Sequence, residues 1–150
     1  MSYQFLKLIH ILSATIMIGT GLGSAFYLFL TYKRTQVSTV KDVLKLVVLA
    51  DKIFTAPSII VQLTTGIMLS NLLGMTYTKW FWIVISVSSI VFILWGRAAF
   101  IQLKLRKILD QENQISKKFH NLMKIWFYLG VPSFLASVFL YYMMVYKAFL

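Results

Sequence analysis

Four stretches of this chain, at about residues 8–32, 53–74, 80–103 and 122–146, are long apolar runs almost free of charge. A helix rises about 1.5 Å per residue, so roughly 20 such residues cross the about 30 Å hydrocarbon core of a bilayer. Lipid offers no water to an unpaired backbone amide, so segments of this kind cross as helices. The reading is an all-α membrane protein. Four transmembrane helices, over about 4–32, 43–74, 80–107 and 120–147, form an antiparallel bundle and a single domain over 1–150. Composition agrees: 59% of residues are hydrophobic and 13% charged, against about 25% charged in an ordinary soluble domain.

The net charge of +11 does not point to nucleic acid, because the basic residues form no patch on a water-soluble domain. They gather at membrane edges. Lys33, Arg34, Lys41, Lys45 and Lys52 lie in 31–52, and Arg97, Lys104, Arg106, Lys107, Lys117, Lys118 and Lys124 in 97–124. All four acids, Asp42, Asp51, Asp110 and Glu112, share these segments, whereas the connector near Gly74 carries only Lys79 and the termini only Lys7 and Lys147. The positive-inside rule then places both basic segments in the cytoplasm and both termini, with the connector near Gly74, outside. The basic edges are expected to attract anionic lipid headgroups. A cleavable leader ending near Gly23-Ser24-Ala25 is the rival reading of the first run. That run continues to Leu30 and only Lys7 precedes it, so the helix is expected to be retained.

Helix contacts in membranes favour small and weakly polar residues. Each run carries such a stripe: Thr15, Gly19 and Gly23 beside His10, Ala14, Gly21 and Ser24; then Thr55, Ser58, Gln62, Thr65 and Gly66; then Ser86, Ser89 and Gly96; then Trp126, Gly130, Ser133, Ser137 and Tyr141. They are expected to meet as a polar seam, either as tight packing or as the wall of a pocket. Pro57 and Pro132 fall inside their runs and are expected to kink them. Trp80 and Trp82, with Tyr77, are expected in an aromatic belt at the outer interface.

Ionisable residues inside a membrane are costly and draw attention to function. His10, about one turn inside the outer boundary, has two readings: a structural hydrogen bond, or a haem, metal or proton role, the haem held by His10 alone or with Met17 or another methionine opposite. His120 is expected about 25 Å away, at the opposite edge, so the two cannot flank one iron, and His120 reads as a solvated edge residue. Asp51 matches Arg97 in depth and is expected to pair with it or a nearby lysine, with proton transfer as the alternative. Gln62, near mid-bilayer, reads as a bond between helices. There is no cysteine, and no phosphate-binding loop, paired metal-spaced histidines or nucleophile–base set.

The blocks "LKLIHILSATIMIGTGLGSAFY" (6–27), "ADKIFTAPSIIVQLTTG" (50–66), "IQLKLRKI" (101–108) and "WFYLGVPSFLA" (126–136) resemble, in this order, the bacterial integral membrane proteins grouped as domain of unknown function 2269. The resemblance implies a small four-helix inner-membrane protein and brings no activity with it. The chain departs from that pattern at Ala50-Asp51-Lys52 and at Trp95-Gly96-Arg97. Leu6, Lys7, His10 and Ala14 are also similar to the first helix of copper-resistance D type and haem-binding protoporphyrinogen-oxidising membrane proteins. The latter similarity implies haem b on His10. Three functions follow as expectations: a non-enzymatic membrane module, alone, as a homo-oligomer or in a larger complex; a haem or redox protein using His10; and an oligomeric transporter or metal-permeation subunit.

Overall fold

The computed structural model describes residues 2–34 and 36–146, and these are helical almost throughout. Helix α1 is Tyr3–Arg34 and α2 is Val37–Ala50; a π-helical turn, Asp51–Thr55, joins α2 to α3, Ala56–Leu72; α4 is Lys79–Glu112 and α5 is Lys117–Tyr146. Because α2, the turn and α3 run on as one rod, Val37–Leu72, the described residues form four rods, each long and apolar enough to cross a membrane. Lys147, expected to end the fourth helix, lies outside the described residues.

Two helices extend further at their basic ends than the apolar runs suggest. α2 begins at Val37 because Val40, Leu44, Val47 and Val48 recur at helical spacing and are all buried, while Lys45 and Leu46 face away. α4 continues to Glu112, burying Gln102, Leu105, Ile108 and Leu109. Asn113 then stops it in the left-handed conformation, φ 47°, its N–H reaching the Leu109 carbonyl; asparagine tolerates that conformation better than most residues. At the opposite end Gly74 turns with φ 64°, and Thr78 caps α4 by accepting the Phe81 N–H at 3.2 Å.

The disturbance introduced by Pro57 lies upstream of it. Proline has no N–H, and its ring crowds the carbonyl four residues earlier, here that of Ile53. The wider π-helical turn over Asp51–Thr55 relieves that conflict without ending the helix. Pro132 lies within α5.

Bulky residues close the two ends of the bundle. At the basic end Leu28, Val40, Leu44, Leu105, Leu109 and Phe119 form one fully buried cluster. Around it Lys41 meets Asp110 at 2.9 Å. At the other end Met75, Trp80, Val84 and Met143 form a second cluster. Trp80 is thus no belt residue: it is 7% exposed, and its indole N–H donates to the Met143 carbonyl at 2.9 Å. Trp82 and Tyr77 do face outward. Between the ends, α1 packs chiefly on α2 and α3, and α4 on α5. The two hairpins meet loosely along the middle, and two cavities lie between them.

Candidate functional site

The sharpest polar assembly in the bundle joins α1 to α3. His10 and Ser13 on α1 face Gln62 and Thr65 on α3, pairs set one turn apart on each helix so that both reach across a single contact. His10 Nδ1 lies 2.8 Å from Thr65 Oγ1, and Gln62 Nε2 lies 3.0 Å from His10 Nε2. Ser13 Oγ donates to Gln62 Oε1 at 2.6 Å and also lies 2.9 Å from the His10 carbonyl. Thr65 gives its proton to the Val61 carbonyl at 2.6 Å, so it accepts from Nδ1–H, and the Gln62 amide donates to Nε2. The network therefore fits a neutral imidazole with the proton on Nδ1. Both ring nitrogens are engaged. Between those two nitrogens the ring edge abuts Gly66: a Cβ built there would stand 3.1 Å from His10 Cε1.

His10 and Gln62 also line a cavity of about 490 Å³ between the hairpins. Lys7 and Tyr3 stand on its rim; Met17, Val84, Val91 and Met144 supply apolar wall, and Ser70, Ser137 and Tyr141 supply further hydroxyls. A second cavity of about 390 Å³ lies towards the basic end, walled by Trp95, Trp126 and Phe134 and holding Asp51, Gln102 and Ser133. Met17, Val91 and Ser137 border both.

The polar seam read from the stripes is partly rearranged. Ser58, Thr65 and Ser137 are buried, and Ser133 borders the second cavity. Gly19 and Gly23, the most conspicuous spacing, meet nothing: a Cβ at either has no neighbour within 4 Å. The close contact falls instead at Gly66, where the His10 ring packs against the glycine. Ser86, Ser89 and Gly96 face away from the protein. The expected ion pair of Asp51 with Arg97 does not form. Arg97 is exposed, and among the described residues the ion pairs involve Lys41, Asp42, Lys45, Arg106 and Asp110. Asp51 is 8% exposed and accepts from Thr55 Oγ1 at 2.7 Å, with Gln102 and Trp95 as its next polar neighbours. Matching depth was not enough, because the two side chains leave their helices in different directions.

Two residues of the site carried no sequence signal. Ser13, buried, falls between the glycine stripe and His10, and Gln102 hides inside the basic run after Arg97. His120 is exposed, as an edge residue should be, yet its Nδ1 meets the Tyr32 hydroxyl. Tyr32 follows His10 by 22 residues of one unbroken helix, or about 33 Å at 1.5 Å per residue, so the two histidines serve opposite ends.

A haem on His10 needs a free imidazole nitrogen. Nε2 becomes available only if the Gln62 amide turns away, so the site as it stands does not fit an iron ligand. Among the described residues no three histidine or acidic side chains gather as a metal site would require. What the arrangement offers is a neutral, hydrogen-bonded wall beside an apolar space. No curated protein and no solved structure matches the chain. A family model described as predicted integral membrane protein, DUF2269, matches residues 4–148, and the chain belongs to that family of integral membrane proteins.

Proposed function

We propose that this protein is a non-enzymatic module of the bacterial inner membrane that holds an amphiphilic molecule in the cavity beside His10, with both termini on the periplasmic side. The observation that carries this reading is the combination of an apolar space of about 490 Å³ with a polar wall that still has donors to give. That volume lies within the about 300–1,000 Å³ usual for small-molecule sites. Gln62 uses one amide N–H on His10 and keeps the other. The Tyr141 hydroxyl is only 3.5 Å from Thr15, a long contact that a better acceptor would displace. Lys7 adds a cation at the rim. Such a site selects a head rich in acceptor oxygens and an apolar tail.

Native mass spectrometry of the detergent-purified protein tests the proposal. A retained amphiphile is expected on the wild type and lost from Ala14→Phe, which fills the wall without touching the hydrogen bonds. A protein that retains no adduct, or an Ala14→Phe variant that retains the same one, refutes it.

The haem b reading, with Met17 lining the same cavity, has both His10 nitrogens engaged against it. It requires Gln62 to release Nε2. Under it, purification with haem supply yields a Soret band that His10→Ala abolishes; a colourless preparation refutes it.

A further inference from the structure

The second cavity contains a buried carboxylate and no positive charge. Asp51 opens the π-helical turn, is 8% exposed and lines this space. Its near partners, Thr55, Gln102 and Trp95, are neutral donors. Among the described residues no lysine or arginine borders the cavity, and no ion pair includes Asp51. A carboxylate held in a low-dielectric interior without a counter-ion is costly, and intramembrane acids of this kind pair with something. Among the described residues no cation meets it, so the acid either holds a proton or pairs with a cation brought from outside these residues.

The walls narrow its chemistry. Calcium takes six to eight oxygen ligands and magnesium demands six, whereas Asp51 and Thr55 make a sparse set and no three acidic or histidine side chains gather anywhere among the described residues. Aromatic faces attract diffuse cations instead, and Phe92, Trp95, Trp126 and Phe134 line this cavity. We propose that the Asp51 cavity binds a lipophilic organic monocation, its charge on the carboxylate and its apolar substituents among the tryptophan and phenylalanine rings. The π-helical turn is part of the device. A π turn places one extra residue in its ring of hydrogen bonds, a feature concentrated at functional sites, and here that turn carries both Asp51 and Thr55.

This site shares the walls at Met17, Val91 and Ser137 with the cavity beside His10, but its carboxylate borders only the second, so the two proposals are tested separately. The test is equilibrium binding to the full chain in phosphatidylcholine nanodiscs, which carry no net charge to compete with the basic end. Methyltriphenylphosphonium is the cationic probe and tetraphenylborate the anionic control. The wild type is expected to bind the cation saturably, at one per chain, and the anion not at all. Asp51→Asn, nearly the same shape, is expected to weaken the cation by about tenfold or more, as loss of a charge pair in a poorly screened site would. Ser133→Phe, which fills the cavity and leaves the carboxylate in place, is expected to weaken it similarly, and Trp82→Phe, on the outer surface and in neither cavity, to leave it unchanged. Equal binding of cation and anion, full cation binding by Asp51→Asn, or loss of cation binding in Trp82→Phe overturns the assignment.

Discussion

Gly66→Ala is the change whose sign the structure determines most directly. Alanine in a helix interior is favoured over glycine by about 1 kcal/mol, so on propensity alone the variant gains. The new methyl, however, would stand 3.1 Å from His10 Cε1, closer than ordinary carbon contacts. The ring cannot step back freely, because Cε1 lies between two nitrogens held at 2.8 Å by Thr65 and 3.0 Å by Gln62. Overpacking of this kind costs about 1–3 kcal/mol. The balance is a net loss of about 0–2 kcal/mol in the wild type and a gain of about 1 kcal/mol once His10→Ala removes the ring. The coupling between the two sites is therefore about 1–3 kcal/mol. Gly19→Ala and Gly23→Ala, with nothing within 4 Å, should show the propensity gain alone. The measurement is denaturation of the wild type, Gly66→Ala, His10→Ala, their double variant and the two glycine controls in mixed micelles, followed by circular dichroism over a cooperative transition. If Gly66→Ala stabilises the wild type as much as it stabilises the His10→Ala protein, the pinned-ring argument is wrong.

Gln62→Leu should cost about 1–2 kcal/mol in the same assay, since intramembrane hydrogen bonds contribute about that much at most and the change leaves His10 Nε2 without its donor, while Ser13 falls back on the His10 carbonyl. Trp80→Phe should lose about 1 kcal/mol with the bond to Met143, whereas Trp82→Phe, 60% exposed, should lose almost nothing; equal losses would refute the inward placement of Trp80. The chain has no cysteine, so Gln36→Cys and Asn113→Cys can be labelled singly in whole cells. An impermeant maleimide should reach neither until the membrane is opened, and a reagent that reaches one of the two from outside disproves the common cytoplasmic side.

The four spans were legible because hydrophobic length is a one-dimensional property: a run either covers the bilayer or it does not. The amphipathic start of α2 was legible for a similar reason, since Val40, Leu44 and Val47 keep helical spacing within one segment. Contacts between helices were harder, because they depend on rotation about each axis as well as depth. Asp51 and Arg97 share a depth and still diverge, one buried and one exposed. The glycine pair at 19 and 23 had the spacing of a helix contact, while the glycine that serves as one, Gly66, sits in a motif that looks ordinary. His10 was identifiable as a residue of interest, but its partners Thr65 and Gln62 lie more than 50 positions away. The π-helical turn was half visible: Pro57 announced a conflict with Ile53, and only the fold shows that the helix widens upstream instead of breaking.

The cavities themselves follow from where the bulk of the chain is placed. Both ends are filled by large side chains, Leu28, Leu105 and Phe119 at one and Trp80 and Met143 at the other, and these set the separation of the hairpins. Along the middle the facing walls carry small residues, Ala14, Gly21 and Ser24 against Ser133 and Ser137, which are too short to meet at that separation. In a water-soluble domain so large an unfilled space would be strongly destabilising, because each buried methyl-sized void forfeits packing. In a bilayer the penalty is slight. A lipid chain or another amphiphile fills the gap and is as apolar as the leucine that would otherwise occupy it, so no hydrophobic drive pulls the hairpins together. Stability alone therefore gives no reason for the small residues to persist or for Asp51 to stand in such a space. A variant that plugs the gap, such as Ala14→Phe or Ser133→Phe, should then be as stable as the wild type and lose only its ligand, and a stability loss near that of a packed core, about 2–5 kcal/mol, would show instead that the walls move together and the space is not kept open.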